Sequence, residues 1–478
     1  MADLMGMSTV VAELAQLLGP EHVSGAVADR LAYRHGTWTM EYKAIATDHV
    51  GPGPQAVVWP TTVDDVVRVV QWAAQRRIPL IPYGGGSGIV GGTIASPQSV
   101  VVDTKRLCGL TVDAESLVVE AGCGWFGSEL DAVLRTQYGV TLGHYPQSLH
   151  SSTLGGWLAT RATGIMSTKY GRMEDRVEGL EVVTGVGDRV ALGGGPPASE
   201  GPDLVQLFLG SEGRLGIMTK ARFRVELADQ PEAIRVWTVP TVAAGLAVVQ
   251  WLVQHGVKPT VTRLFDPEES QTWFGTAAGK GAVLLLHFQG LAALVTAEVA
   301  VAEDQATRLG AQRLPDVVAQ RWWDRRYDTA SLLRTVQRPT GIAETIEVGA
   351  SWQHLLAVYE AMMAAVRPRS TIAYAHFSHF YPSGGSLYVI VHADAEHSDW
   401  ATVQQRYREI LDAALQASFQ AGGGISHHHG IGRARSSWLT KAHSDSIAIF
   451  RRVQAVLDPA GIFNPGVLFE EASVPHGF

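Results

Sequence analysis

Residues 143–171 read GHYPQSLHSSTLGGWLATRATGIMSTKYG. The stretch is nearly free of charge and dense in Gly, Ser and Thr, so it cannot form a single core helix or a single buried strand over its whole length. It offers main-chain N–H groups and small hydroxyls, which can surround a diphosphate with hydrogen-bond donors. Gly155, Gly156 and Gly164 let the main chain approach a ligand with no Cβ in the way. A plain surface loop is the competing reading. Loops of this length without secondary structure are uncommon and often functional, which favours the ligand.

Two further glycine clusters lie on either side. Residues 78–92 read IPLIPYGGGSGIVGG, an apolar run entering a glycine turn, which is the general form of a phosphate cradle. No GKS or GKT follows. Residues 209–219 read LGSEGRLGIMT. Each cluster sits beside a β-type apolar run. Three in one chain imply one large cofactor held from several sides.

A chain of 478 residues is too long for one simple core and predicts two domains. The net charge of −8, with no basic run, argues against nucleic acid as the main partner. Two cysteines, Cys108 and Cys123, make no disulfide framework and read as small buried hydrophobes. The N-terminus has no basic n-region, and Asp3 and Glu13 interrupt it, so no signal peptide is expected and the chain reads as cytoplasmic. No apolar run is long enough to cross a bilayer. The C-terminal HGF is not a peroxisomal tail.

Periodicity predicts a helical leader over 8–35 and a short strand at 57–60. A helix then starts at Thr61 or Thr62, with Asp64 and Asp65 in its first turn, and ends at Arg76 and Arg77. The strand 78–81 completes a β-α-β unit that runs into the glycine turn. Further strands are expected at 100–103, 117–120, 177–184 and 217–225, and a helix at 126–137. The polar segment 228–235, ADQPEAIR, reads as a boundary. Beyond it, helices are expected at 241–255, 292–310 and 351–367, and strands at 283–289 and 386–393.

Residues 426–432 read SHHHGIG. On a strand, His427 and His429 would share one face and His428 the other, so the three cannot all bind one metal. A His-x-His pair on a strand can bind zinc, with His376 and His379 to complete the site, and structural histidines are the other reading. A catalytic role for at least one is favoured, because the run ends at Gly430 in a tight turn and imidazole suits acid–base work near neutral pH.

In this order, IPYGGGSG, PQSLHSSTLGGWLATRATG and GSEGRLGIMT resemble the FAD-binding domain of flavoenzymes of the vanillyl-alcohol-oxidase type, also called the p-cresol methylhydroxylase (PCMH) type. The resemblance covers about 50–228 and the C-terminal tail. It implies an α+β fold: a leader at 1–49, a two-part FAD-binding domain at 50–228, a cap or substrate domain at 229–440, and a segment at 441–478 that returns to the FAD domain. It implies that Pro82, Tyr83, Gly84, Gly85, Gly86, Ser87 and Gly88 wrap the FAD diphosphate. Gln147, Ser148, Ser151, Ser152, Thr153, Gly155, Gly156, Thr160, Arg161, Ala162 and Thr163 form the second loop. Glu212, Gly213, Gly216 and Ile217 form the third, and Asn464 of the FNPG turn completes the set. Some relatives attach the flavin through a His beside the glycine loop; here Ser87 stands in that loop, so non-covalent FAD is expected.

The motifs SHHHGIGRARSSWL and GHYPQSLHSSTLGGWLATRATG resemble more narrowly the alkyldihydroxyacetonephosphate synthases. The D-2-hydroxy-acid dehydrogenases of the same superfamily mostly carry Glu-His-Gly at the histidine run, and a GHxGDGNLH-like metal motif where this chain has SHFYPSGGSLYV, 378–389. Their final metal-ligand His corresponds to Tyr388 and their Asn to Ser386. The resemblance implies exchange of the acyl group of 1-acyl-dihydroxyacetone phosphate for a long-chain alcohol, through an adduct at flavin N5 and without net redox change. Tyr388 would be the acid–base tyrosine, His427, His428 and His429 the required histidines, and Arg263 and Arg334 the substrate arginines. No resident metal is implied. A homodimer and peripheral membrane contact are also implied, with Trp273–Phe274 and Trp322–Trp323 as candidate contacts, although core packing is the stronger reading of both pairs. The alternative function is FAD-dependent oxidation of a D-2-hydroxy acid or another alcohol.

Overall fold

The run AVV at 56–58, with β-branched Val57 and Val58, is fully buried, and it pairs in parallel with Val100–Asp103, which pairs in parallel with Leu80–Tyr83. This computed structural model describes residues 9–34, 36–49, 51–196, 198–328 and 330–470, with nothing described of the side chains of 330 and 331. The terminal stretches 1–8 and 471–478, which carry part of the leader-peptide reading and all of the HGF reading, lie outside the described residues.

The crossover between the first two predicted strands is the helix Val63–Arg76. The Thr62 hydroxyl accepts from the Asp65 amide at 3.1 Å, and the Asp65 carboxylate accepts from the Thr61 and Thr62 amides at 3.0 and 2.9 Å. Its apolar stripe, Val66, Val69, Val70 and Ala73, packs on Ala56, Val58, Val100 and Val102. Arg77 ends the helix in the left-handed region at φ 53°.

The predicted helical leader is broken. Gly19, at φ 99°, and Pro20 stop the first helix at Leu18. Val23–Ser24 then forms an edge strand against Val57 and Val58 before a short second helix, Val27–Ala32. A five-stranded antiparallel sheet follows, in the order 110–113, 118–122, 217–224, 177–183, 189–193. Its strands 118–122, 177–183 and 217–224 and the helix Gly127–Tyr138 lie where the pattern places them.

The remaining large sheet has seven strands, in the order 312–313, 232–239, 282–289, 261–265, 372–381, 384–394, 341–351. Its first long strand, Glu232–Val239, begins inside the segment expected to be a boundary. Strict alternation gives this sheet two different faces. Leu264, Phe377, Leu387 and Val348 are successive cross-strand neighbours in one row, and all are buried in the core beneath the helices Val242–Gln254, Trp352–Val366 and Trp400–Gln420. The adjacent row is Phe265, His376, Tyr388 and Glu347, on the opposite face. Trp322 is buried, and Trp273, Phe274 and Trp323 pack around the same core. No helix among the described residues is long and apolar enough to cross a membrane.

The chain ends by returning to the first sheet. Phe463 forms a parallel bridge with Leu80, and the Asn464 amide donates to the Leu80 carbonyl at 2.9 Å. Arg214, 1% exposed, donates to the carbonyls of Phe463 and Asn464 at 3.1 and 3.0 Å. Replacing Arg214 with Met leaves two buried carbonyls without this charged donor. Urea unfolding should show a loss of about 3 kcal/mol, the scale of charge-assisted bonds.

Candidate functional site

The three glycine-rich segments meet at one cavity of about 680 Å³, between the smaller sheets and the polar face of the seven-stranded sheet. Ligand sites commonly have volumes of about 300–1,000 Å³. The contact between the first two segments is backbone against backbone. A Cβ on Gly85 would stand 1.9 Å from the Ser151 carbonyl oxygen, and one on Gly84 would stand 2.2 Å from Thr153 Oγ1. Gly86 has φ 65° and lies against the Tyr83 hydroxyl. Within 143–171 the helix Leu154–Thr160 does form, capped by the Thr153 hydroxyl, and the rest is turn and loop.

Every residue from Pro82 to Gly88 lines the cavity, as do Gln147, Ser148, Ser151, Ser152, Thr153, Gly155, Gly156, Thr160, Ala162, Thr163, Glu212, Gly213, Gly216, Ile217 and Asn464. Thr163 Oγ1 and Asn464 Oδ1 are buried there without a hydrogen-bond partner among the described residues. Arg161 is not in the lining. Its guanidinium turns outward, donating to the carbonyls of Leu209 and Gln206 at 3.0 Å, and fixes the third segment instead. The Glu212 carboxylate is likewise committed to protein: it accepts from the amides of Ile431 and Gly432 at 2.7 and 2.8 Å. Burial raises its pKa to about 7 against those two amides.

The histidine run is not a strand. Residues 427–429 form a bend wrapped around one carboxylate oxygen. Oε1 of Glu347 accepts from the amides of His427, His428 and His429 at 3.3, 3.0 and 2.6 Å and from Ser426 Oγ at 3.0 Å. Oε2 accepts from Arg435 at 2.5 Å. Both residues are buried. Burial alone would raise the Glu347 carboxyl, but Arg435, His429 and the amides hold it at about 2. The bend breaks the alternation expected of a strand. His428 and His429 both line the cavity, while His427 sits behind them.

Tyr388 faces the cavity between these histidines and His376. Its ring stacks on His376 at 4.7 Å and lies 5.9 and 5.3 Å from the rings of His428 and His429. Burial pushes the phenol well above its usual range, and the Thr345 hydrogen bond only partly opposes this. Burial, with the neighbouring positive groups, holds His428 well below its ordinary value. Burial likewise leaves His429 at about 4 despite Glu347. At neutral pH the wall therefore presents a protonated phenol beside neutral imidazoles.

Arg263 reaches the same cavity from the strand Val261–Phe265. It donates to His376 Nε2, and His376 Nδ1 donates to Glu269 at 2.8 Å. A guanidinium has only donors, so Nε2 must accept and the ring proton lies on Nδ1. Arg263 Nε is buried with no partner among the described residues. Arg334 is exposed on the helix Ala330–Val336, which turns Leu332, Leu333 and Val336 to the cavity instead. Sequence reasoning missed Glu347, Glu269 and Thr345. Each has polar neighbours in sequence that do not reach the site, and only the fold shows which of them faces it. His376 and His379 had been considered as metal ligands. Among the described residues no group of three His, Cys, Asp or Glu is arranged to hold a metal ion.

Residues 54–193 match the family model described as FAD binding domain, and residues 229–468 match the model described as FAD linked oxidases, C-terminal domain. The chain is 29% identical over 492 residues to the alkyldihydroxyacetonephosphate synthase of Dictyostelium discoideum, covering 95% of this chain and 80% of that one. It is 27% identical over 474 residues to the glycolate oxidase subunit GlcD of Bacillus subtilis (strain 168), covering 96% of each. A solved structure of an alkyldihydroxyacetonephosphate synthase matches with a TM-score of 0.79 and 26% identity, over 95% of this chain and 85% of that one. FAD is therefore the cofactor. The chain belongs to the FAD-linked oxidase family, among flavoproteins of the vanillyl-alcohol-oxidase type.

Proposed function

We propose that this flavoenzyme exchanges the acyl group of 1-acyl-dihydroxyacetone phosphate for a long-chain alcohol, forming an ether without net redox change. The observation that carries this reading is Tyr388. Its protonated phenol stands against His376, His428 and His429 on the cavity wall, at the position where the hydroxy-acid dehydrogenases have a metal-ligand histidine.

The residues present fit FAD. The Gly84–Gly88 turn and the 147–163 segment present main-chain donors to one space, and Thr163 Oγ1 and Asn464 Oδ1 await partners in it. These loops would hold the nucleotide, without a covalent bond. When bound, the FAD supplies the ring at which the transferred carbon is activated. Arg263, steadied by His376, binds the substrate phosphate through its free Nε donor. A neutral imidazole, His428 or His429, accepts the proton lost from the substrate carbon and returns it at the end; the Tyr388 phenol donates a proton to the departing carboxylate and then takes the proton of the incoming alcohol. Leu332, Leu333 and Val336 give the long chain an apolar wall that keeps out water. Leu333 is 46% exposed, which places an apolar edge at the mouth for a peripheral lipid contact.

Oxidation of a 2-hydroxy acid is the second reading. The 27% identity to a glycolate oxidase subunit favours it, and Arg263 would bind a carboxylate as readily as a phosphate.

An anaerobic absorbance titration separates the two. Under the first reading, palmitoyl-dihydroxyacetone phosphate bleaches the oxidised flavin, hexadecanol restores it with ether formed, and D-lactate and glycolate do nothing. Bleaching by a hydroxy acid would overturn it. Tyr388→Phe should lower exchange by about a hundredfold or more, the scale of a lost acid–base group, with FAD still bound. Gly85→Val should yield protein that no longer retains FAD, read by absorbance after gel filtration, because the added side chain meets the Ser151 carbonyl.

Glu347→Gln leaves Arg435 buried without its counter-charge and should cost about 3–5 kcal/mol. The folded carboxyl sits at about 2, and the unfolded one at about 4.3. A depressed folded value stabilises above the unfolded pKa and loses that contribution as pH falls through the folded one. The wild-type advantage in urea unfolding should be constant from neutral pH down to about 5 and shrink below about 4.

A further inference from the structure

His427 lies behind the cavity wall and has both ring nitrogens engaged. Nδ1 lies 3.0 Å from Nδ1 of His428, and Nε2 lies 3.1 Å from the Tyr381 hydroxyl. His428 lines the cavity. Tyr381 does not line the cavity and is partly exposed as a residue; Pro382 and Ser383, next to it at the hairpin tip, are exposed. The Tyr381 hydroxyl also bonds Ser167, whose Oγ lies 2.8 Å from Nδ1 of His379. A line of exchangeable protons therefore runs from the cavity wall to a residue beside the exposed hairpin tip.

We propose that His428, His427 and Tyr381 form a proton relay between the cavity and solvent. In the resting arrangement His428 Nδ1–H donates to His427 Nδ1, and His427 Nε2–H donates to the Tyr381 oxygen. When His428 Nε2 takes a proton, its Nδ1 proton moves to His427 Nδ1, the His427 Nε2 proton moves to Tyr381, and the Tyr381 O–H proton passes to water. Each group ends with the number of protons it started with, and both histidines have changed tautomer. The reverse sequence returns a proton. Arg172 donates to the His427 carbonyl at 3.1 Å, and its charge disfavours an imidazolium there, so a proton is passed on rather than held. The Glu347 clamp on the three amides fixes the spacing of the first two members. His427 and Tyr381 are thus positioning and relay groups rather than catalytic ones.

The relay rests on the acid–base reading of His428, and its test needs no substrate. Photoreduction of the FAD holoenzyme in weakly buffered solution draws a proton into the site, and a pH-indicator dye follows its uptake. Tyr381→Phe and His427→Gln should slow uptake by about a hundredfold, with FAD retention unchanged. Added imidazole should restore the rate in His427→Gln. Wild-type uptake should show a bowed dependence on the deuterium fraction of the solvent, the mark of several protons in flight. Uptake in Tyr381→Phe at the wild-type rate would overturn the relay, as would failure of imidazole to rescue. If either variant loses FAD, a linear dependence in the wild type overturns it alone. Failure of acyl exchange with these results intact would remove the proposed reaction and leave the relay.

Discussion

One buried carboxylate holds this site together. Glu347 lies fully buried on the last strand of the seven-stranded sheet, where an isolated charge would be strongly disfavoured. Arg435 neutralises it, and four donors from 426–429 converge on its other oxygen. Three consecutive amides can point at one atom only if the chain bends around it. That bend brings His428 and His429 to the cavity together and puts His427 behind. Removing the ion pair would therefore free a loop as well as expose a charge, and the placement of His428 and His429 in the wall depends on it. A buried pair of this kind is weak evidence for net stability but strong evidence for a specified conformation here, because the loop has no regular secondary structure of its own.

The sheet supplies the other half of the site by register. Phe265, His376, Tyr388 and Glu347 come from four strands spread over more than a hundred residues of sequence, yet they stand in one cross-strand row. The neighbouring row, Leu264, Phe377, Leu387 and Val348, is entirely apolar and anchors the same strands to the helical layer. A slip of one residue in any of these strands would exchange the two rows, placing a polar ring in the helical core and an aliphatic side chain in the cavity. Packing on one face thus fixes the chemistry on the other.

The cofactor domain was largely legible because its signals are local. The helix Val63–Arg76 is marked by Thr62 and Asp65, the strand after it by apolar residues, and the cradle by its glycines. All but one of the residues assigned to the cradle line the cavity; the exception, Arg161, is a long side chain whose direction composition cannot give. The polar wall was less legible. The histidine run looked like a strand because nothing nearby in sequence announces a bend whose cause, Glu347, is eighty residues upstream. Arg334 was placed by a loose motif match, and the helix turns the neighbouring leucines inward instead. The leader was misjudged for a local reason that could have been seen: Gly19 followed by Pro20 does not continue a helix.

The return of the C-terminal segment has a consequence for biogenesis. Asn464 donates to the carbonyls of Gly92 and Glu212, and the Phe463 bridge lies beside Leu80, two residues before the first cradle loop. The cradle glycines leave the ribosome early, but the residue that ties two of the cradle segments together is translated nearly four hundred residues later. A nascent chain can fold its first β-α-β unit and still lack a closed nucleotide site. The nucleotide site is therefore complete only in a chain that includes the FNPG turn, and a product truncated before it would lack the tie between the first and third cradle segments.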